Sequence, residues 1–176
     1  MIVSDSTPLI YLAKIGKLPL LKEFFGEVLI AEEVKREVVD RGKERGSPDA
    51  FVVEKAMNEG WIRVEGTKRM EKLEEFGIHE GEAETISLAV HLNEERILVD
   101  QTHARLAAKA LGLKPVGTIY VLLKALKQGV IDRGGYLNAL EDLVRAEFRM
   151  SDEVYLKAVR LGDEIVARSK GKRSRS

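Results

Sequence analysis

The sequence predicts an α/β fold: a three-layer α/β/α sandwich with a central parallel sheet, followed by extra C-terminal helices. Three observations lead there. Short apolar runs alternate with amphipathic stretches along most of the chain. Those runs are continuously apolar, as in strands buried on both faces, rather than alternating apolar and polar. The length of 176 residues, 44% of them hydrophobic and 33% charged, supplies one full core and not two.

The first run, Ile2-Val3-Ser4, ends at Asp5, and Thr7-Pro8 reads as a helix cap followed by proline at the first helical position. Leu9, Ile10, Leu12 and Ala13 carry that helix to Gly16, and a second short helix runs from Leu18 to Phe25. Val28-Leu29-Ile30 is the next strand and feeds a helix from about residue 31 to 41. A turn-rich link (42–48) precedes a helix over 49–58 and a strand over 61–64. Helices follow over 68–76 and 80–92, and then Arg96-Ile97-Leu98-Val99 repeats the opening theme by ending at Asp100. Thr102 can cap a helix reaching Leu111, Pro115-Val116 forms an edge strand, and Ile119, Leu122, Leu123 and Leu126 mark a helix over 118–127.

Residues 1–130 thus make the α/β unit, and 131–167 extend the same domain with two helices. Residues 168–176 hold five basic residues without apolar periodicity and are expected to form a disordered basic tail.

Composition removes several classes of function. No cysteine is present, which excludes disulfides, thiolate zinc sites and cysteine nucleophiles, so a metal must sit on oxygen or histidine. No apolar run approaches the roughly 20 residues that span a bilayer, and the start carries no signal-peptide pattern, so the expectation is a cytoplasmic protein without a membrane partner. Glycine-rich phosphate loops are missing, which argues against a nucleotide cofactor, and serine-hydrolase motifs are missing too. His79, His91 and His103 lack ligand spacing and read as surface or boundary residues. A phosphatase using Asp5 as nucleophile would carry an acid two residues on, where Thr7 stands.

Two aspartates end strands. In an open α/β sheet the ligand crevice lies beyond the carboxyl ends of the strands, where strand order reverses. Asp5 and Asp100 occupy such ends, although an aspartate there can also cap the next helix. On a helical wheel at about 100° per residue, Glu82 shares the face of Ala83, Ile86, Ala89 and Val90, whereas Glu80 and Glu84 lie opposite. An acid on the buried side needs more explanation than the helix dipole provides. The same wheel over 30–41 puts Glu37 at the edge of the Ala31, Val34, Val38 stripe, with Glu33 one turn earlier, so a solvated pair is the competing reading. Gathered in one crevice, these carboxylates are costly unless a cation or protons neutralise them. Oxygen ligands suit Mg²⁺ or Mn²⁺, and such an ion serves phosphodiester hydrolysis.

Val3-Ser-Asp5-Ser-Thr-Pro8, Val34-x-x-Glu37-Val, Glu80-Gly-Glu82-Ala-Glu84 and Ile97-Leu-Val-Asp100 together resemble the PIN-domain family over residues 1–130. The Ser-Asp-Ser-Ser/Thr-Pro start and Gly117-Thr118 are most similar to its VapC-type toxin endoribonucleases. The resemblance implies a metal-dependent ribonuclease acting on RNA, a homodimer, and an antitoxin protein as partner. Asp5, Glu37, Glu82 and Asp100 match the family's acidic positions, and Thr7 matches a hydroxyl that supports the site. The chain departs from the family in carrying Glu82 where Asp is frequent and Gln101 where a further acid often follows. A PIN-like fold that has lost catalysis and acts as a binding or regulatory module is the alternative.

Overall fold

Val3 is fully buried and pairs with Leu29 on one side and Ile97 on the other, so the first strand of the chain lies in the middle of a sheet. The computed structural model describes residues 1–173 and divides into two compact units, 1–118 and 119–176.

In the first unit the elements run β1 (Ile2–Ser4), α1 (Ser6–Lys14), α2 (Pro19–Phe25), β2 (Val28–Ile30), α3 (Glu32–Lys35), α4 (Arg41–Glu44), α5 (Pro48–Asn58), β3 (Ile62–Val64), α6 (Glu80–His91), β4 (Arg96–Leu98), α7 (Thr102–Ala110) and β5 (Lys114–Val116). All strand pairs are parallel, in the order β3-β2-β1-β4-β5. The chain builds outward from β1 to β3, then crosses back to β4 on the other side of β1. With right-handed crossovers, this reversal puts α1, α2 and α5 on one face and α6 and α7 on the other. Packing agrees, since α1 contacts α5 and α6 contacts α7. The result is the three-layer α/β/α sandwich expected from the sequence.

Both sheet faces are apolar because both are covered. Val3, Leu29, Ile97 and Val99 point to one layer and meet Ile86, Ala89, Ala104 and Ala107 in a continuous core. Small residues on α6 and α7 let those helices lie close to the sheet and to each other. The switch between β1 and β4 is fastened by the Asp5 N–H, which donates to the Leu98 carbonyl at 2.9 Å.

Local structure differs from the sequence reading in four respects. The first helix begins at Ser6 with Asp5 in the N-cap position, and α7 begins at Thr102 after Gln101, so Thr7 and Thr102 lie inside their helices. Strand pairing through the Asp5 amide ends one residue before the helix can start, which leaves Thr7 no cap to fill. Residues 36–40 form a π-helical turn between α3 and α4, a departure from 3.6-residue periodicity that a regular wheel cannot reveal. Only Glu71–Phe76 of the helix expected over 68–76 is helical, and it is a 3₁₀ segment. There the Met70 N–H donates to Ser87 Oγ and Thr67 bonds His91, holding the preceding chain extended across α6.

In the second unit, α8 (Thr118–Lys127, entered from the last residue of the first unit) is followed by α9 (Arg133–Arg145) and α10 (Asp152–Arg173). Tyr136 is fully buried, and its hydroxyl donates to the Ala158 carbonyl at 2.7 Å. Arg133 and Asp163 pair across the same two helices at 2.7 Å. Of the basic tail expected over 168–176, α10 includes residues as far as Arg173, and 174–176 lie outside the described residues. No helix among the described residues is long and apolar enough to cross a membrane.

Candidate functional site

The site starts from a strand too short to do more than deliver one acid. β1 ends at Ser4, the next backbone bond goes to β4, and Asp5 is left at the carboxyl edge of the sheet, 3% exposed. Although Asp5 occupies the N-cap position of α1, its side chain makes no capping hydrogen bond, so the cap does not account for it. Burial pushes the Asp5 carboxyl up to about 7, against the Ser6 N–H that favours the charged form. The negative charges of Glu82, Glu37 and Asp100 push it the same way as burial. The structure therefore brings together the four acids singled out in the sequence, around Asp5.

Each of the other three is held by a donor. Asp100 follows β4 and accepts from the Thr118 N–H at 2.8 Å on Oδ1 and from the Thr118 hydroxyl at 2.7 Å on Oδ2. Burial raises its carboxyl above the usual range, while the Thr118 bonds and the nearby Arg105 charge oppose the rise. A side chain on Gly117 would collide with Asp100 Oδ1, so this position must be glycine for the carboxylate to sit where it does. Glu37 lies in the π-helical turn, half-buried, and accepts from the Ser6 hydroxyl at 2.8 Å. Glu82, buried as its wheel position required, completes a capping box by accepting from the His79 N–H at 2.9 Å.

Glu82 thus has a local structural role as well as a place among the acids. Glu84, on the opposite face, accepts from the Glu33 N–H at 3.0 Å and so ties α6 to the start of α3. Glu33 is no solvated partner of Glu37: it is buried and paired with Arg36 at 2.7 Å and Arg41 at 3.0 Å. Thr7 is the second residue of α1, and the hydroxyl that reaches an acid belongs to its neighbour Ser6. Sequence reading missed Ser6, whose signal was adjacency to Asp5 at the helix start. It also missed Arg105, one turn into the helix after Asp100. His79, His91 and His103 are exposed, as expected.

The donor set is oxygen only, and the charges of the other acids that bear on Asp5 are all negative. Among the described residues, no three His, Asp or Glu side chains already stand together as a metal-holding group. The acids fit a hard divalent ion by chemistry and charge, and the hydrogen bonds above use only part of each carboxylate's capacity of about four lone-pair positions.

A family model for the PIN domain matches residues 1–164. No curated protein and no solved structure matches the chain. The reversed sheet order, the acids gathered at its carboxyl edge and a family match over nearly the whole length agree, and the chain belongs to the PIN-domain family.

Proposed function

We propose that this protein is an endoribonuclease dependent on Mg²⁺ or Mn²⁺, hydrolysing RNA phosphodiester bonds with Asp5, Glu37, Glu82 and Asp100. PIN domains are nucleases as a class, and that general activity comes with membership. The observation that carries the finer reading is Asp5: a buried carboxyl held up to about 7 by its burial first and then by the negative charges of Glu82, Glu37 and Asp100. An arrangement of that kind is costly in a protein with no use for a cation.

Asp5 and Asp100, with Glu82 and Glu37, would hold the ion, which when bound supplies charge stabilisation on the phosphate and a more acidic water. The chain's own residues do the rest. Thr118 fixes Asp100 through both carboxylate oxygens. Ser6 anchors Glu37 through Oε2, leaving Oε1 at the half-buried rim able to accept a proton from an attacking water. Asp5 gives up its proton when positive charge arrives beside it.

Cleavage of single-stranded RNA tests this. Activity should require Mn²⁺ or Mg²⁺ and disappear in both Asp5→Asn and Asp100→Asn, and cleavage that survives either change rejects the assignment. The toxin role, an antitoxin partner and a homodimer belong to the same reading and rest on the Ser-Asp-Ser-Ser/Thr-Pro and Gly-Thr motifs. A catalytically silent binding module is the second reading, favoured by the absence of a closed metal-holding group among the described residues.

A further inference from the structure

The two strand-end acids differ in the charges around them. The charges bearing on Asp5 are all negative. On Asp100 the charge that bears is that of Arg105. Arg105 is half-buried on the first turns of α7, and its Nη1 donates to the Val99 carbonyl at 3.0 Å. Val99 is the residue immediately before Asp100, and its own N–H donates to the Val116 carbonyl at 2.9 Å. Gly117 closes the group: a Cβ there would strike Asp100 Oδ1 and lie 3.4 Å from Arg105 Nη1. Arg105, Asp100 and the Gly117 backbone therefore share a space without room for a methyl group.

We propose that Arg105 is a positioning residue for Asp100: its guanidinium pins the Val99 carbonyl, fixes the strand end that carries the acid, and stands as counter-charge to the carboxylate. A planar guanidinium suits the task because it has several fixed donors and keeps its charge when half-buried. Lysine would keep the charge and lose the fork. Asp100 is thereby held on two sides, by Arg105 through the strand end and by Thr118 through both oxygens, ready as a rigid ligand. The inference rests on the proposed metal site for its purpose, but the positioning itself needs no metal.

Arg105→Met and Arg105→Lys test it through two readouts. The first is hydrogen exchange in metal-free protein at the Thr118 amide, which donates to Asp100, measured against the Asp5 amide, which donates to Leu98. In Arg105→Met the Thr118 amide should exchange about ten-fold faster, the weight of one charge-assisted hydrogen bond, while the Asp5 amide keeps its rate. The second is the Mn²⁺ concentration giving half-maximal thermal stabilisation, which should rise by about ten-fold or more in Arg105→Met and less in Arg105→Lys. Equal acceleration of both amides, or no change at Thr118, overturns the proposal, since either means a merely structural arginine or an idle one. If Arg105→Met does not fold, Arg105→Lys alone must still move Thr118 relative to Asp5, and its failure to do so also overturns it. A wild-type protein blind to Mn²⁺ whose Thr118 amide still answers to Arg105 rejects the metal reading and upholds the positioning.

Discussion

The Ser6 hydroxyl donates to Glu37 Oε2 at 2.8 Å, tying the first residue of α1 to a π-helical turn 31 positions along the chain. That bond joins the acid on the sheet edge to the acid on the helix, because Ser6 also presents its N–H to Asp5. Ser6→Ala should lower RNA cleavage by about ten-fold while costing no more than about 1.5 kcal/mol of stability, as removal of a ligand's supporting bond does. Steady-state kinetics beside thermal melts of the same variant would check it. A large loss of stability with unchanged turnover would make Ser6 structural.

Stability should fall as pH rises in metal-free protein. The Asp5 carboxyl is held up to about 7 in the fold against 3.8 for a free one, so between those values the native state binds more protons than the unfolded chain. The shift is worth on the order of 4 kcal/mol at most. It is present in full below the unfolded value and lost as pH climbs to the folded one, and Asp100, also raised, acts in the same direction. Melting in the presence of a chelator should therefore be several degrees lower at pH 8 than at pH 5, at about 2–4 °C per kcal/mol for this chain length. Asp5→Asn should flatten the profile. Calorimetry across that range, with the variant alongside, isolates the contribution.

Gly117→Ala should disturb the site more than the fold. The added methyl meets Asp100 Oδ1 and crowds Arg105, so the carboxylate must leave its Thr118 partners. A cost of about 1–3 kcal/mol is the usual effect of such overpacking. Cleavage and Mn²⁺-induced stabilisation should both drop sharply, measurable in one melt series.

The C-terminal helices offer a control remote from that chemistry. A Cβ on Gly162 would collide with the ring of Tyr136, whose hydroxyl bonds Ala158. Gly162→Ala should destabilise by about 1–3 kcal/mol, and Tyr136→Phe by about 1 kcal/mol from the lost hydrogen bond. Neither should change the Mn²⁺ dependence of the remaining folded protein, which a metal titration of each variant can follow.

Much of this was legible because the strands are short and closed by acids. Ile2-Val3-Ser4 before Asp5 and Ile97-Leu98-Val99 before Asp100 mark strand ends without any knowledge of pairing, and the reversed order sets those ends side by side. Glu82 was legible from its wheel, since α6 is regular through Ala83, Ile86 and Ala89. Glu37 was less so, because the π-helical turn breaks the period on which the wheel depends. Ser6 and Arg105 escaped for a different reason. Their partners, Glu37 and the Val99 carbonyl, are set by tertiary packing or by a backbone atom, and neither leaves a spacing in the sequence. The 3₁₀ segment at Glu71–Phe76 escaped likewise, since Ser87 and His91 hold the chain before it.

Anomalous scattering from a crystal soaked with Mn²⁺ tests the central claim most directly. A peak is predicted within about 2.0–2.3 Å of carboxylate oxygens from both Asp5 and Asp100, with Glu82 or Glu37 turned towards it. A saturated crystal with no peak there, or with the ion bound elsewhere and Asp5 untouched, would contradict the account.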